Sequence, residues 1–259
     1  MRLYIIFGVA RIFIDRANLA PWLQYTLLGL CILACMVVPY LLGQLNFAII
    51  LSKKLFGVDV RDYGSGNGGT TNMLRTFGKK AAIVTLAGDM GKAVVSCLLG
   101  YLLFGRLGAF IAGFFCMLGH TMPIKYKFRG GKGVACAAAI ILMTDLGNVW
   151  WVPLIFIALL VVFAVIALGL KYVSLASIMC MLVYPLILHE MEMLIANTTK
   201  VVIQESGLYV IIAFMMSVLI IFMHRENIKR LFRGEESKLD LFSKKKTLYE
   251  ESKTESDKK

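Results

Sequence analysis

An all-α protein that crosses a membrane about seven times is predicted by three observations. Of 259 residues, 59% are hydrophobic and only 17% charged, with a mean hydropathy of +0.75. Soluble domains are typically about 45–50% apolar and about 25% charged, so this composition excludes an ordinary water-soluble globule and disorder over most of the length. Uncharged windows of membrane-crossing length recur along the chain, and Lys and Arg crowd into alternate connections between them.

A helix crossing the hydrocarbon needs about 20 residues. Residues 22–51 supply the first span, long enough to tilt or to break near Pro39. Residues 81–104 form the second and contain Asp89 and Lys92 at helical i,i+3 spacing, where they are expected to neutralise one another. Residues 107–124 turn back after Gly105-Arg106 as the third. Residues 134–144 are too short to cross alone and read as a crossing or a re-entrant segment. Residues 148–170, 173–188 and 207–223 complete the set.

The connections after spans one, three, five and seven carry the cations: Lys53, Lys54, Arg61, Arg75, Lys79 and Lys80, then Lys125, Lys127, Arg129 and Lys132, then Lys171, then Arg225, Lys229, Arg230 and Arg233. By the positive-inside bias that side is cytoplasmic, which puts the C-terminus inside and the N-terminus outside. Trp22, Trp150, Trp151 and Tyr209 then fall at outer span ends, as an interfacial aromatic belt would place them. Residues 1–20, with Arg2, Arg11 and Arg16, read as an interfacial arm lying on the outer surface. Residues 21–236 form the membrane domain, and residues 237–259, polar and charge-mixed, a disordered basic cytoplasmic tail.

The formal net charge is +12, and from Arg225 onward 11 basic and 8 acidic residues contribute only +3 of it. The excess therefore sits between the apolar stretches, where it sets orientation or holds anions, and nucleic acid is not needed to explain it. All six cysteines lie in apolar runs without a CxxC pair, so they read as small buried hydrophobes, and no metal site is expected. Residues 3–10 are apolar, but Arg11 follows with no small-residue cleavage site, so no cleavable signal peptide is expected.

Three sequences on the basic side carry chemistry. Loop one, residues 64–75, reads GSGNGGTTNMLR; glycines that expose backbone N–H groups, with Ser65, Asn67, Thr70, Thr71, Asn72 and Arg75 as further donors, suit an anion nest. Loop two, residues 128–134, reads FRGGKGV and opens into an apolar helix, a phosphate site by dipole and by donors. It is not a nucleotide-binding Walker A loop, because Gly133 stands at the Ser/Thr position and Tyr126 at the first glycine. Third, in His224-Arg225-Glu226-Asn227, His224 and Asn227 are three apart and share a helical face at the inner end of the last span. His120, at the end of span three, reads as a packing histidine.

Together GSGNGGTTNMLRTFGKKA, GHTMPIKYKFRGGKGVA and HRENIKRLFRGEE closely resemble the three signature motifs of the bacterial acyl-phosphate:glycerol-3-phosphate acyltransferase family, over roughly residues 25–236. The chain departs from that family in its N-terminal arm, its long tail, and Gly68 and Thr70, where other small residues are usual. The resemblance implies transfer of an acyl group from acyl phosphate to the sn-1 hydroxyl of glycerol 3-phosphate at the cytoplasmic face of the bacterial inner membrane, with no cofactor. It implies that Ser65, Arg75, Lys132, Ser174 and Asn227 bind glycerol 3-phosphate, and that Gly66, Asn67, Thr71, Asn72, Gly130, Gly131 and Gly133 line the acyl-phosphate hole. His224, Ser65, Asn227 and Lys132 would carry catalysis, with either His224 or an oxygen of the donor phosphate as base. Partners would be the two substrates, the bilayer and an enzyme that produces acyl phosphate. The His-x4-Asp pair of acyl-CoA-dependent acyltransferases is absent, since Lys125, Leu194 and Lys229 stand five residues after the three histidines. A transporter or scramblase of phosphorylated lipid precursors is the alternative, but polar residues at mid-membrane are scarce.

Overall fold

The computed structural model describes residues 19–145, 152–199 and 205–239, together with residues 8, 12–14, 17 and 249. Regular structure among them is entirely helical. Most of residues 1–20, Trp150, Trp151, and residues 240–248 and 250–259 lie outside the described residues, so the interfacial arm and the tail are met only in fragments.

Helix α1, Pro21–Gly43, starts on a proline, whose missing N–H is one of the orphan donors of a helix start. It runs through Pro39 without a break and ends four residues later, at Gly43. The first span does break, but at residues 44–46 rather than at the proline. Asn46 caps the next helix, α2 (Phe47–Phe56), by accepting from the Ile49 N–H at 3.1 Å, and such a cap is worth about 1 kcal/mol. The carbonyls of Gly43 and Leu45, left open by the break, accept from Lys92 Nζ at 3.0 and 2.7 Å.

A short turn at Val60–Asp62 and helix α3, Thr70–Phe77, bracket loop one. Helix α4, Lys79–Thr121, is two arms, separated at Phe104 and at Gly105, whose φ of 62° with ψ of −146° only glycine adopts comfortably. The arms double back: a Cβ on Gly100 would overlap the backbone of Gly108, and one on Gly108 would overlap Gly100. The same small-residue contact brings α1 onto the second arm, Gly43 against Cys116 and Gly119 against Tyr40. Helices α5 (Val134–Asp145), α6 (Val152–Gly169), α7 (Val173–Thr199), α8 (Ser206–Met223) and α9 (Arg225–Phe232) follow. A core from α4 to α8 includes Phe110, Met117, Ile140, Tyr184 and Met216, while Leu33, Val165, Leu186 and Phe214 face outward, as lipid-facing side chains do.

Among the described residues, four segments are long and apolar enough to cross a membrane: Pro21–Phe56, Lys79–Tyr126, Val173–Thr198 and Ser206–Met223. This is fewer than the seven expected, because the second and third predicted spans form one doubled-back helix and α5 is only 12 residues, about 18 Å at about 1.5 Å per residue. The described apolar part of α6, Leu154–Gly169, also falls short of a full crossing. The chain is thus an all-α polytopic membrane protein.

Charged groups buried between helices are paired. Lys92 Nζ lies 2.7 Å from Asp89 Oδ1, as their spacing predicts. At the opposite end of the bundle, Arg106 binds Glu192 Oε1 at 2.5 Å and donates to the Thr144 carbonyl at 2.8 Å. Its guanidinium lies 4.7 Å from the centre of the Tyr209 ring, which also stacks on Phe110 at 5.0 Å. Tyr209 is consequently 1% exposed and is no part of a lipid-facing belt; its ring covers a buried cation. Trp22 is 69% exposed, as a belt residue would be. The six cysteines are free, five of them buried.

Candidate active site

Loop one, loop two, the start of α7 and the segment around α9 meet at one end of the bundle. Left-handed glycines shape loop one: Gly64 and Gly66 have φ of 58° and 71°, which side-chain-bearing residues rarely adopt. Asn72, 2% exposed, holds the loop from inside. Its Nδ2 donates to the carbonyls of Val60, Tyr63 and Asn67 at 2.9–3.1 Å, and its Oδ1 accepts from the Ser65 N–H at 2.9 Å. Both ends of this amide are engaged within the protein, so Asn72 shapes the nest rather than offering it a donor. Asn67 Nδ2 likewise reaches the Ser65 carbonyl at 3.3 Å. Thr71 is half-buried in the first turn of α3.

Loop two leaves the short turn Ile124–Tyr126 through two left-handed non-glycine residues, Lys127 (φ 53°) and Phe128 (φ 59°). Backbone strain of this kind costs about 1–3 kcal/mol per residue and clusters at ligand sites. Gly130 and Gly131 are buried because the backbone lies directly on the end of α4. A Cβ on Gly130 would overlap the His120 carbonyl oxygen, and one on Gly131 would overlap the His120 ring. The Gly131 N–H donates to the His120 carbonyl at 3.1 Å, so Gly131 contributes close approach and not a free donor. Gly133, with φ of 83°, turns the chain into α5. The two loops touch: a Cβ on Gly131 would stand 2.7 Å from the Gly68 carbonyl oxygen. Arg61 Nη1 adds a strut to the Arg129 carbonyl at 3.1 Å, and Asn46 Nδ2 ties the Gly68 carbonyl to the break at residues 44–46 at 2.9 Å. Asp59 grips Arg61 at 2.7 Å, and that guanidinium holds the Asp59 carboxyl far below its ordinary range.

Lys132 projects toward α9, where its Nζ donates to Asn227 Oδ1 at 2.5 Å. Asn227 Nδ2 donates in turn to Glu236 Oε1 at 2.6 Å, and the same oxygen accepts from Ser174 Oγ at 2.8 Å. Arg230 Nε donates to Glu236 Oε2 at 2.9 Å, and Arg75 Nη2 to the Ser237 carbonyl at 3.2 Å. Burial pushes the Glu236 carboxyl up, but hydrogen bonds from Asn227, Arg230 and Ser174 outweigh it and hold the group below its usual range. Arg75, Lys132, Ser174 and Asn227, predicted separately, are thereby brought together. Ser65 is not among them: its N–H is held by Asn72, one turn before Arg75 on α3.

Glu236 is the hub that sequence reasoning missed. It stands last in the HRENIKRLFRGEE stretch as one of two adjacent glutamates, with no spacing signal to separate it from Glu235. Gly234, with φ of 70°, turns the chain after α9 so that Glu236 faces back toward Asn227 while Glu235 is exposed. Beyond it, the Leu239 N–H donates to the Lys171 carbonyl at 2.6 Å, and Tyr249 packs against the stacked pair Phe56 and Phe77 with its hydroxyl 3.2 Å from the Phe56 carbonyl.

His224, 2% exposed, donates from Nδ1 to the Ile220 carbonyl at 2.8 Å, which leaves Nε2 as the acceptor nitrogen. Burial and the nearby Lys132 charge pull its pKa down to about 4. Burial also lowers the Lys132 ammonium, with Arg230 and Arg75 adding to the shift and Glu236 opposing it, to about 8. Beside loop two an open apolar groove of about 410 Å³ runs between α1 and the second arm of α4, lined by Leu33, Val37, Leu118 and Phe128 among others. Among the described residues no cluster of His, Cys, Asp or Glu has the makings of a metal centre.

Residues 33–234 match the family model described as glycerol-3-phosphate acyltransferase. The glycerol-3-phosphate acyltransferase of Thermoanaerobacter pseudethanolicus is 38% identical over 203 residues, spanning 78% of this chain and 93% of that one. The Bacillus subtilis enzyme of the same name is 33% identical over 206 residues, 78% and 95% of the two chains. The crystal structure of PlsY (YgiH), an integral membrane glycerol 3-phosphate acyltransferase, in its glycerol 3-phosphate form, superposes with a TM-score of 0.67 at 32% identity, covering 82% of this chain and 99% of that one. Its lysophosphatidic acid form gives 0.65 at 31%, covering 81% and 96%. All three motifs that meet at this end of the bundle fall within or beside the matched region, and the chain belongs to the glycerol-3-phosphate acyltransferase family of integral membrane acyltransferases.

Proposed function

We propose that this site transfers an acyl group from acyl phosphate to the sn-1 hydroxyl of glycerol 3-phosphate, giving lysophosphatidic acid and inorganic phosphate, the first step of bacterial phospholipid synthesis. One observation carries the assignment of the phosphate. Arg75, Lys132 and Arg230 lie within electrostatic reach of one another and of a single carboxylate, Glu236. Three cations against one anion leave two positive charges, the complement of a phosphate monoester dianion. Arg75 supplies a fork for it, and Lys132, Asn227, Ser174 and Ser65 surround it as positioning groups.

The acyl phosphate lies across loop two, with Gly66, Asn67, Thr71, Gly130 and Gly133 around its head and the chain along the apolar groove. Asn72 and Gly131 act from behind, by holding the loops in shape. An acyl phosphate is a mixed anhydride with a good leaving group, so no covalent enzyme intermediate is required. The glycerol oxygen attacks the acyl carbon, charge develops on the carbonyl oxygen, and the bond from that carbon to the phosphate oxygen breaks as inorganic phosphate leaves. The site supplies proximity and preorganised positive charge. The hydroxyl proton passes to an oxygen of the donor phosphate. A histidine whose pKa is near 4 makes a weak base at neutral pH, and His224 instead orients the hydroxyl through Nε2.

The chain sits in the bacterial inner membrane with this end cytoplasmic and the N-terminus outside, the topology that the Lys/Arg bias supports, with the arms of α4 and helices α5 and α6 counted toward seven segments. Residues 237–259 form a cytoplasmic tail, and an enzyme producing acyl phosphate is a natural neighbour, since the donor is hydrolysable.

Purified protein in detergent given palmitoyl phosphate and labelled glycerol 3-phosphate is expected to form labelled lysophosphatidate and inorganic phosphate. Absence of product from folded protein, or equal turnover with palmitoyl-CoA, overturns the assignment. The pH profile supplies a second check. The charged form of Lys132 is the anion-binding form, and it is lost as pH rises through about 8. Hence kcat/KM for glycerol 3-phosphate is expected to fall above about pH 8 in the native protein, and to stay level over that range in Lys132→Arg, whose guanidinium remains charged.

A further inference from the structure

Asp89, Lys92 and His120 are each at most 6% exposed and stand behind the two loops, not in the site. Lys92 Nζ has four neighbours within hydrogen-bond distance: Asp89 Oδ1 at 2.7 Å, the Leu45 carbonyl at 2.7 Å, His120 Nδ1 at 2.8 Å and the Gly43 carbonyl at 3.0 Å. An ammonium group offers only donors, so His120 Nδ1 accepts and the ring proton sits on Nε2. That Nε2 is the atom against which Gly131 packs, and the His120 carbonyl takes the Gly131 N–H. One side of Lys92 therefore ends in loop two.

Its other side ends in loop one. The carbonyls it holds belong to the break between α1 and α2, and the next residue, Asn46, donates to the Gly68 carbonyl. The Gln44 side chain in the same break accepts from the Lys125 N–H at 2.9 Å, just ahead of loop two. Gly68 and Gly131 are the residues at which the loops touch. A helix break with two open carbonyls, placed over a buried ammonium, links both sides of the site through one nitrogen atom.

We propose that Lys92, held by Asp89, is the positioning residue that fixes the spacing between loops one and two, acting on loop one through residues 44–46 and on loop two through His120. Lys92 touches neither substrate. Its effect is on how the two loops meet at Gly68 and Gly131, beneath the hole that receives the acyl phosphate; of the cations around Glu236, Arg230 is carried by α9, while Arg75 and Lys132 follow loops one and two. This rests on the acyl-phosphate assignment of loop two given above.

The experiment compares His120→Ala, His120→Asn and Lys92→Met with the native protein, measuring KM for palmitoyl phosphate, KM for glycerol 3-phosphate and kcat, with elution in detergent as the check on folding. His120→Ala removes the ring that joins Lys92 to Gly131, while the backbone hydrogen bond from Gly131 and the other partners of Lys92 remain. It is expected to raise KM for palmitoyl phosphate at least tenfold and KM for glycerol 3-phosphate by clearly less, because Asn227, Ser174 and Arg230 stay in place on Glu236. Asparagine places an acceptor near the Nδ1 position and is expected to recover part of the loss. Lys92→Met is expected to show the same split more strongly; if it elutes as aggregate, the two histidine variants decide alone. A purely structural role lowers kcat through a smaller active fraction and leaves both KM values alone, and that result overturns the proposal. Failure of the native protein to turn over palmitoyl phosphate would overturn the assignment of the reaction instead, so the two failures are distinct.

Discussion

Lys132→Ala is expected to lower the rate of acyl transfer by about 10²–10³-fold while the protein still elutes as a single species in detergent, the usual cost of removing one preorganised donor aimed at developing charge. The side chain is half-buried, its one hydrogen bond goes to Asn227, and helix α5 begins two residues later without using it. Folding therefore does not depend on the ammonium. Deletion leaves Arg75 and Arg230 against Glu236, one net positive charge facing a dianion, and leaves Asn227 Oδ1 without its donor. Arg75→Ala removes the fork and is expected to fall in the same range, since its hydrogen bond to the Ser237 carbonyl is also peripheral to the core. Steady-state rates with palmitoyl phosphate and labelled glycerol 3-phosphate check both. Retention of half the native rate in either variant would remove that residue from the phosphate site.

Gly130→Ala is expected to cost about 10²-fold in kcat/KM for acyl phosphate, the loss that a displacement of about 1 Å brings to a positioned reactant. The added methyl would overlap the His120 carbonyl oxygen and approach the Thr121 carbonyl oxygen to 2.9 Å. Both are backbone atoms of the last turn of α4, so neither can rotate away, and loop two must lift instead. Gly91→Ala is the matched control, because Gly91 is exposed on the same helix and nothing lies within 4 Å of its added methyl. That change is expected to leave activity intact and to stabilise α4 by about 0.5–1 kcal/mol. Equal activity in the two alanine variants would mean that loop two does not hold the donor.

The glycine loops, the polar inner end of the last span and most of the apolar helices are legible in the sequence because each is a local pattern. Composition marks the nest, a 20-residue window marks the span, and i,i+3 spacing predicts the Asp89–Lys92 pair. Tyr209 was misplaced because depth along a span says nothing of which way the ring faces, and Arg106 decides that from another helix. A tilt or a break near Pro39 is what the sequence offers for the first span, because proline is the visible breaker, whereas the acting stop is the Asn46 cap and the lysine under it. Glu236 and the role of His120 were hidden for one shared reason. Their partners lie far off in sequence, as Lys132 lies 95 residues from Asn227 and Arg75 162 from Ser237, and no period or spacing reports such a meeting.

On the proposed seat of the acyl chain, the apolar groove beside loop two gives the reaction two solvents. Leu33, Val37 and Phe128 on its rim are each more than 40% exposed on the outside of the bundle, while the cations around Glu236 gather at the bundle's end. A donor that dissolves in oil by its tail and an acceptor that dissolves in water then meet without either being carried across. The products part the same way, the acylated one drifting sideways among lipids and the inorganic ion leaving by the aqueous face. The mixed anhydride supplies the forward drive, and partition keeps the two products apart once they have left.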